Sequence, residues 1–364
     1  MCLALGNLPL PGQHNLWLID VLNHWNSPPI SRIPLLHDVG KKIIQKLISF
    51  PISLPNIPSD SLTIKFLGSA KRGNIPPSMG VLLNDLLQPG FHNVWDFINQ
   101  TSESGVTGKD VLASFIIPST LLDMTSPERR LYGALDIPMT KDGLKVCKYE
   151  VSDYLQDKKY LISDRAWTTT FTTSGAITHT HMDYYGRHQY MVHLFGHKLW
   201  LLWPPTEKNL ECFAKFHTQP STSNLTLHCL DELEGLQLFY TTTEQAFVLQ
   251  PNVLHACMSV GTSAHTGTWV WMLPEYKVSL QMVEWGLKWM MGKVSTDAPL
   301  LDYKGEAETI KSEIVAWQNL LKKNHESDDA IAAYSQLEKL EYELSELQKL
   351  FKSRGKKRKR DREE

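Results

Sequence analysis

The sequence lacks the cysteine pattern of a disulfide-stabilised protein and of a structural zinc protein. Its five cysteines are an odd number, and no Cys-x-x-Cys pair occurs among them. Cysteines spaced in this way provide neither a disulfide framework nor a zinc cluster, so we expect a reducing compartment. The five are Cys2, Cys147, Cys212, Cys229 and Cys257.

Long apolar runs and a strong net charge are also missing. No run of about 18 apolar residues occurs, which predicts no transmembrane helix, and the first residues do not resemble a secretory signal. The formal net charge is -2, which gives no reason to expect nucleic-acid binding by the molecule as a whole. The chain has 364 residues, 42% hydrophobic and 21% charged. We expect a soluble intracellular protein with no membrane contact and one or two domains.

Proline, β-rich runs and helical patterns divide the chain into five predicted parts. Frequent prolines interrupt helices in the first part, short β-rich runs fill the middle, and apolar positions three and four residues apart follow. The β runs favour a sandwich or barrel, of which a double-stranded β-helix with a metal in its mouth is one form. The parts are a mixed helical N-terminal cap (1–110), the β domain (111–275), a packing helix (276–298), an antiparallel helical or coiled-coil hairpin (305–352) and a basic disordered tail (353–364).

The two C-terminal parts leave alternatives open. The hairpin would dock on the β domain, bind a partner helix or form a homodimer. The basic run from Lys352 to Arg360 is a solvated disordered end, a nuclear-import signal or a nucleic-acid contact. The import alternative predicts a location in the nucleus.

A His-x-Asp pair in the middle of the chain is the first chemical signal. His181 and Asp183 would project from the same face of an extended strand, because side chains two residues apart share a face. One imidazole and one carboxylate make two thirds of the 2-His-1-carboxylate set that holds ferrous iron. His255, which follows a Pro251–Asn252 turn, is the candidate for the third ligand. The alternatives are a chance pair and a core histidine.

Lys198 is the second chemical signal, because it begins a strongly apolar run that ends at Trp203. A lysine that points into a barrel is costly unless it meets an anion. A dicarboxylate would supply that anion, with one end on the metal and the other on the ammonium, and the hydroxyl of Thr178 could donate a hydrogen bond to it. The alternative is a strand edge with Lys198 facing solvent.

Together these motifs resemble the JmjC domain over about residues 160 to 275. The pattern comprises Thr178-x-x-His181-x-Asp183, Gly196-His197-Lys198, and Pro251-x-x-x-His255. The segment Pro-Pro-Thr-x-x-Asn-Leu, from Pro204 to Leu210, is most similar to the lysine-demethylase branch that carries JmjC with PHD fingers.

The resemblance implies a dioxygenase with a double-stranded β-helix core that uses Fe(II), 2-oxoglutarate and O2. By position, His181, Asp183 and His255 match the metal ligands, while Thr178 and Lys198 match the 2-oxoglutarate binders. The implied reaction converts 2-oxoglutarate to succinate and CO2 and hydroxylates a protein substrate. Histone lysine demethylation in the nucleus follows from the branch, with hydroxylation of a protein side chain and a non-catalytic chromatin scaffold as alternatives. A metal-bearing cupin of small-molecule metabolism is a further alternative.

The chain departs from that branch at two places that bear on the substrate pocket. Met191 stands where the branch has a tyrosine that contacts 2-oxoglutarate, and Tyr190 is one position away. A bulge in the strand would bring Tyr190 into place, so it is the third predicted co-substrate binder. The segment from His265 to Trp269 replaces the Gly-Gly-Asn of the branch and is expected to alter methyl-lysine specificity.

Overall fold

The structure of the protein is a computed structural model. It describes residues 34–49, 63–69, 87, 91–96, 101–111, 132–138, 159–162, 168–183, 186–217, 225–243, 245–260, 262–294 and 301–363. Much of the predicted N-terminal cap therefore lies outside the described residues. No helix in these ranges is long and apolar enough to span a membrane.

The larger of two antiparallel sheets has nine strands within the described ranges. Three of its strands come from the region predicted as a helical cap, so the sheet begins well before residue 111. In spatial order they are β1 (Ile64–Ser69), β11 (Gln245–Leu249), β8 (His188–Phe195), β13 (Ser263–Met272), β6 (Thr168–Thr172), β4 (Tyr132–Pro138), β2 (Phe91–Asp96) and β3 (Thr101–Thr107), while β5 (Tyr160–Ile162) pairs with β13.

The smaller sheet has four strands and carries most of the predicted chemistry. Its central strand β9 combines leucine and tryptophan, which pack well on a sheet that is buried on both faces. In spatial order the strands are β10 (Gln237–Thr241), β9 (Lys198–Trp203), β12 (Leu254–Ser259) and β7 (Ile177–Met182).

Side-chain alternation along β9 shows how the two sheets face each other. Trp200 and Leu202 belong to one apolar cluster with Met191 and Phe247 of the larger sheet. The odd-numbered residues of β9 belong to a different cluster, on the outer face. Because side chains two residues apart share a face, Lys198 starts the row that lies between the sheets. The sequence alternative of a solvent-facing Lys198 is wrong.

Helices cover the sheets. The first three of the six helices given at the end of this paragraph form one apolar cluster with part of the outer face of the smaller sheet. A separate single helical turn occupies Gly108–Asp110. A 3-10 turn at Leu273–Glu275 leads from β13 into the C-terminal helices. The helices are α1 (Pro34–Ser49), α2 (Glu207–His217), α3 (Leu225–Glu232), α4 (Tyr276–Val294), α5 (Leu301–Lys323) and α6 (Asp328–Glu363).

The last three helices share a second apolar cluster that also includes Trp271 of β13. The apolar stripe of α6, for which docking on the β domain, a partner helix and a homodimer were the alternatives, packs against α4 and α5 of the same chain. The buried positions of α6 are Ala330, Ala333, Leu337, Leu340, Leu344, Leu347 and Phe351.

The basic run lies in a helix, because α6 continues to Glu363. A disordered tail was expected there. Lysine, arginine and glutamate are good helix formers, and an established helix extends more easily than a new one begins. The residues past the packed stripe therefore continue the α6 helix.

Truncating the α6 stripe tests the packing of the C-terminal helices. Leu340 is fully buried, so Leu340→Ala is expected to lower the free energy of unfolding by about 2–5 kcal/mol. Tyr342 on the same helix is 66% exposed, and Tyr342→Ala should change it by less than about 0.5 kcal/mol. Urea unfolding followed by circular dichroism measures both, and equal losses would contradict the buried stripe.

Candidate functional site

The pairing of β7 with β12 brings two histidines together. His181 lies opposite His255 in the antiparallel register, and the two ring centroids are 4.1 Å apart. The residues come from distant parts of the chain, and sheet pairing alone makes them neighbours.

Asp183 completes a three-residue group at the end of β7. Its Oδ1 lies 4.0 Å from His181 Nε2, and its Oδ2 lies 3.8 Å from His255 Nε2. One ligand atom from each residue falls within 4.8 Å of the others. Two imidazoles and one carboxylate suit a divalent transition metal and leave open positions on it.

Backbone carbonyls fix both imidazoles in the form that binds a metal. His181 Nδ1 lies 2.8 Å from the oxygen of His179, and His255 Nδ1 lies 3.0 Å from the oxygen of Val253. A carbonyl can only accept, so each Nδ1 carries a proton and each Nε2 is the ring nitrogen turned toward the other two residues of the group. Burial and the neighbouring His181 lower the pKa of His255 to about 4, which keeps this ring neutral. The residues present therefore fit a metal ion.

A register shift in β7 turns Thr178 toward the same side as His181. Thr178 lies opposite Cys257 and His181 lies opposite His255, with an irregularity between the two pairs. The two intervening residues of β7 hydrogen-bond to Thr226 of α3. Residues three apart point to opposite faces of a regular strand, so the bulge is what brings Thr178 to the inner face.

Lys198 is a buried cation without a described counter-ion. The side chain is 1% exposed, and its Nζ lies 2.8 Å from His265 Nδ1. Among the residues that the structure describes, no carboxylate lies within ion-pair distance of this ammonium. Burial lowers the pKa of Lys198. The cost of burying the charge is relieved when an anion binds beside it.

Trp200 lies between the metal-binding group and the lysine. Its ring centroid is 6.1 Å from that of His255 and 5.5 Å from that of His265. The indole Nε1 donates a 3.0 Å hydrogen bond to Thr241 Oγ1, which fixes the ring. Along the inner face, the three candidate metal ligands are therefore followed by the Trp200 ring and then by the buried Lys198 ammonium.

Tyr190 does not take the place predicted for it. Met191 belongs to the cluster between the sheets, whereas Tyr190 belongs to the cluster on the other face of the larger sheet. The pairing of β8 with β11 is regular at this position, so no bulge moves Tyr190 inward. The prediction that Tyr190 contacts 2-oxoglutarate is therefore wrong.

The strand β13 contributes His265, which the sequence placed only within a segment expected to alter methyl-lysine specificity. Along this strand His265, Gly267 and Trp269 are partly exposed, while the residues between them are buried. This alternation shows that the inner face of β13 borders space that solvent reaches. The period of two was visible in the sequence, but only the contact with Lys198 singles out His265.

Gly186 and Arg187, shortly after Asp183 in the sequence, both make long-range contacts. Gly186 donates its backbone N–H to Asn252 Oδ1 over 2.8 Å, which ties this residue to the turn before His255. Arg187 forms a buried ion pair with Glu313 of α5, and Trp271 Nε1 donates to the same carboxylate over 2.7 Å. The guanidinium also lies over the Trp271 ring, 5.1 Å from its centroid.

The Pro-Pro-Thr-x-x-Asn-Leu segment has a structural role. Asn209 donates to the backbone oxygens of Pro204 and Glu234, both over 2.9 Å, and accepts from the Glu234 N–H over 3.0 Å. One side chain thus joins the β9–α2 turn to the α3–β10 turn. The motif that resembles the demethylase branch therefore has a structural role in the described residues.

No protein-family model matches this sequence, and no curated protein matches it. Among solved structures, the chain is similar to Escherichia coli YcfD, over 57% of this chain and 49% of that chain, at 10% identity and a TM-score of 0.36. A second YcfD structure, described as a ribosomal oxygenase, matches over 57% and 47%, at 10% identity and a TM-score of 0.35. YcfD with cobalt and 2-oxoglutarate matches over 57% and 48%, at 8% identity and a TM-score of 0.36. The matched region thus spans about half of each YcfD chain.

Proposed function

We propose that this protein is an Fe(II)- and 2-oxoglutarate-dependent dioxygenase of the JmjC type and that its two sheets form a double-stranded β-helix. The observation that carries the proposal is the buried Lys198 ammonium on the same inner face as the metal-binding group. A dicarboxylate with a chelating 2-oxoacid end satisfies both, because it offers oxygen ligands at one end and a negative charge at the other. A metal-binding cupin of small-molecule metabolism gives no reason for the buried lysine.

The roles of the residues follow from their chemistry. His181, Asp183 and His255 would hold the iron. When bound, the iron would supply the oxidising chemistry, with 2-oxoglutarate and O2 consumed as co-substrates. Lys198 would neutralise the far carboxylate of 2-oxoglutarate, in surroundings where burial strengthens the attraction. The hydroxyl of Thr178 would donate a hydrogen bond to the co-substrate from the neighbouring strand.

The open side of the metal site favours a substrate presented as a side chain. The His181 and Asp183 side chains are 40% and 28% exposed, whereas His255 is buried. One flank of the metal-binding group is therefore accessible, whereas Lys198 at the proposed co-substrate end is buried. A protein side chain that enters from that flank reaches the open metal positions, and we propose that such a side chain is hydroxylated.

Methyl-lysine on a histone tail is the second candidate substrate. Hydroxylation of an N-methyl group leads to loss of formaldehyde, so the same site chemistry would serve demethylation. The resemblance to the demethylase branch favours this candidate, but the segment that carries it braces the fold through Asn209. Nuclear location and nucleic-acid contact by the basic run stay predictions from the sequence.

Turnover on peptides tests the proposed function. Full-length protein with Fe(II), ascorbate and 2-oxoglutarate should release succinate when arrayed peptides include a substrate, and N-oxalylglycine should suppress the release. Mass spectrometry then separates the two candidates, since hydroxylation adds one oxygen atom to the peptide and demethylation removes a methyl group with release of formaldehyde.

A non-catalytic scaffold is the contrasting function. It would bind no stoichiometric iron and would give no succinate on any peptide, with or without inhibitor. Metal analysis of the purified chain therefore decides between an enzyme and a scaffold before a substrate is known.

A further inference from the structure

The two ring nitrogens of His265, which lies beside the buried Lys198, have different hydrogen-bonding roles. Its Nδ1 lies 2.8 Å from Lys198 Nζ. An ammonium group has only donors, so Nδ1 must accept this hydrogen bond and the ring proton must sit on Nε2. The contact with Lys198 thereby fixes the tautomer and leaves an N–H donor on the far side of the ring.

The charge of Lys198 also keeps the His265 ring neutral. Burial and then the Lys198 charge lower the pKa of His265 well below its usual value, with smaller contributions from His193 and His255. A neutral ring next to an ammonium acts as a hydrogen-bonding group of fixed direction, and it adds no second buried charge.

The free N–H of His265 borders the same space as the metal ligands. His265 is partly exposed, as are Gly267 and Trp269 on its face of β13. No described residue accepts a hydrogen bond from its Nε2. The ring meets Trp200 edge-on, with an interplanar angle of 71°, and Trp200 in turn reaches His255.

We propose that His265 is a second binding residue for the far carboxylate of the co-substrate, its Nε2–H donating to the carboxylate that Lys198 neutralises. This inference rests on the proposed function, because it assigns a residue to the same co-substrate. The ammonium supplies charge and the imidazole supplies a directed donor. The pair thus provides the second polar contact that Tyr190, on the other face of the sheet, cannot make.

Binding of two 2-oxoacids of equal chain length tests the role of His265. Full-length protein is loaded with Co(II), which binds 2-oxoacids without turnover, and is titrated by calorimetry with 2-oxoglutarate and with 2-oxopentanoate, which lacks the far carboxylate. His265→Phe keeps a ring of similar size but no nitrogen. We expect it to raise the Kd of 2-oxoglutarate roughly ten- to hundredfold and to leave the Kd of 2-oxopentanoate within about twofold of the wild type.

Two further variants control for folding and for the loss of a histidine. His265→Gln offers an amide oxygen to Lys198 and an amide N–H to the carboxylate, so it should bind 2-oxoglutarate within about threefold of the wild type. His197 precedes Lys198 in sequence, but its ring stacks on Tyr240, whose side chain lies in the outer cluster. His197→Ala should therefore leave both Kd values unchanged, and thermal melts confirm that every variant is folded.

The possible failures are distinguishable. If wild type binds 2-oxoglutarate and His265→Phe binds it equally well, the His265 inference is overturned and the proposed function stands. If His265→Phe weakens both 2-oxoacids to the same extent, its role is structural and the inference is again overturned. If the wild-type protein binds Co(II) but not 2-oxoglutarate, the proposed function itself fails.

Discussion

Replacing Asp183 with alanine is expected to remove the bound metal and abolish turnover. The variant keeps the two imidazoles but loses the one carboxylate ligand, so metal affinity should fall by at least roughly 100-fold. Asp183 is 28% exposed and packs in none of the apolar clusters, so the fold should survive. Atomic emission analysis of dialysed protein measures the metal, and thermal melting measures the fold.

A surface aspartate provides the matched control for Asp183. Asp231 on α3 is exposed and pairs with Lys42 of α1, a contact that contributes little to stability. Asp231→Ala should retain the wild-type metal content and turnover. One metal ion per chain in Asp183→Ala would contradict the assignment of the three ligands.

Replacing Lys198 with methionine is expected to stabilise the ligand-free protein and to weaken its binding of 2-oxoglutarate. Methionine fills the same space without a buried charge, so the free energy of unfolding of the ligand-free protein should rise by roughly 1–4 kcal/mol. The same change removes the charge that attracts the far carboxylate, so the Kd of 2-oxoglutarate should rise roughly 30- to 1000-fold. Urea unfolding and calorimetry on the Co(II)-loaded protein measure the two effects.

The pH dependence of the stability gain gives Lys198→Met a second signature. Burial lowers the pKa of Lys198 in the folded state, so in the window between that lowered pKa and the ordinary lysine value the unfolded chain binds more protons. Wild-type stability from this residue must then rise with pH across that window. The gap between wild type and Lys198→Met should close as the pH approaches the ordinary lysine pKa.

Replacing a surface lysine is the control that separates the effects of Lys198→Met on stability and on 2-oxoglutarate binding from the loss of a positive charge in general. Lys208 is 69% exposed and pairs with Glu234 at the surface, so Lys208→Met should alter neither stability nor 2-oxoglutarate affinity appreciably. A Lys198→Met protein that is less stable than wild type, or that binds 2-oxoglutarate normally, would contradict the buried-anion interpretation.

The grouping of the three candidate metal ligands could be predicted because local sequence rules decide most of it. The alternation of a strand gave His181 and Asp183 a common face, and a Pro-Asn turn placed His255 at the start of another strand. Thr178 was assigned from its place three residues before His181 and from the family resemblance. A regular strand would have turned it away, and the bulge that turns it inward depends on hydrogen bonds to Thr226, a residue far along the chain.

The pairing and register of the strands could not be predicted from the sequence. The prediction for Tyr190 required a bulge in β8, and nothing in the residue types there shows whether its partners pair regularly. Strand β1, in the region predicted as a mixed helical cap, pairs with β11, which lies far away in the sequence. Strands β2 and β3 pair with each other as a local hairpin, which the sequence pattern did not reveal. The contact between Lys198 and His265 likewise joins the two sheets, so no local pattern predicts it.

The Arg187–Glu313 ion pair limits how far the chain can be shortened from its C-terminal side without loss of stability. Arg187, four residues after Asp183 in the sequence, pairs with Glu313 of α5, beyond the last strand, and Glu313 is fully buried. A fragment that stops at β13 would leave the Arg187 guanidinium without its carboxylate, and removing one member of a buried pair is strongly destabilising. The smallest fragment expected to fold with the three candidate metal ligands in place therefore includes α5, so the C-terminal helices belong to the same folding unit as the two sheets.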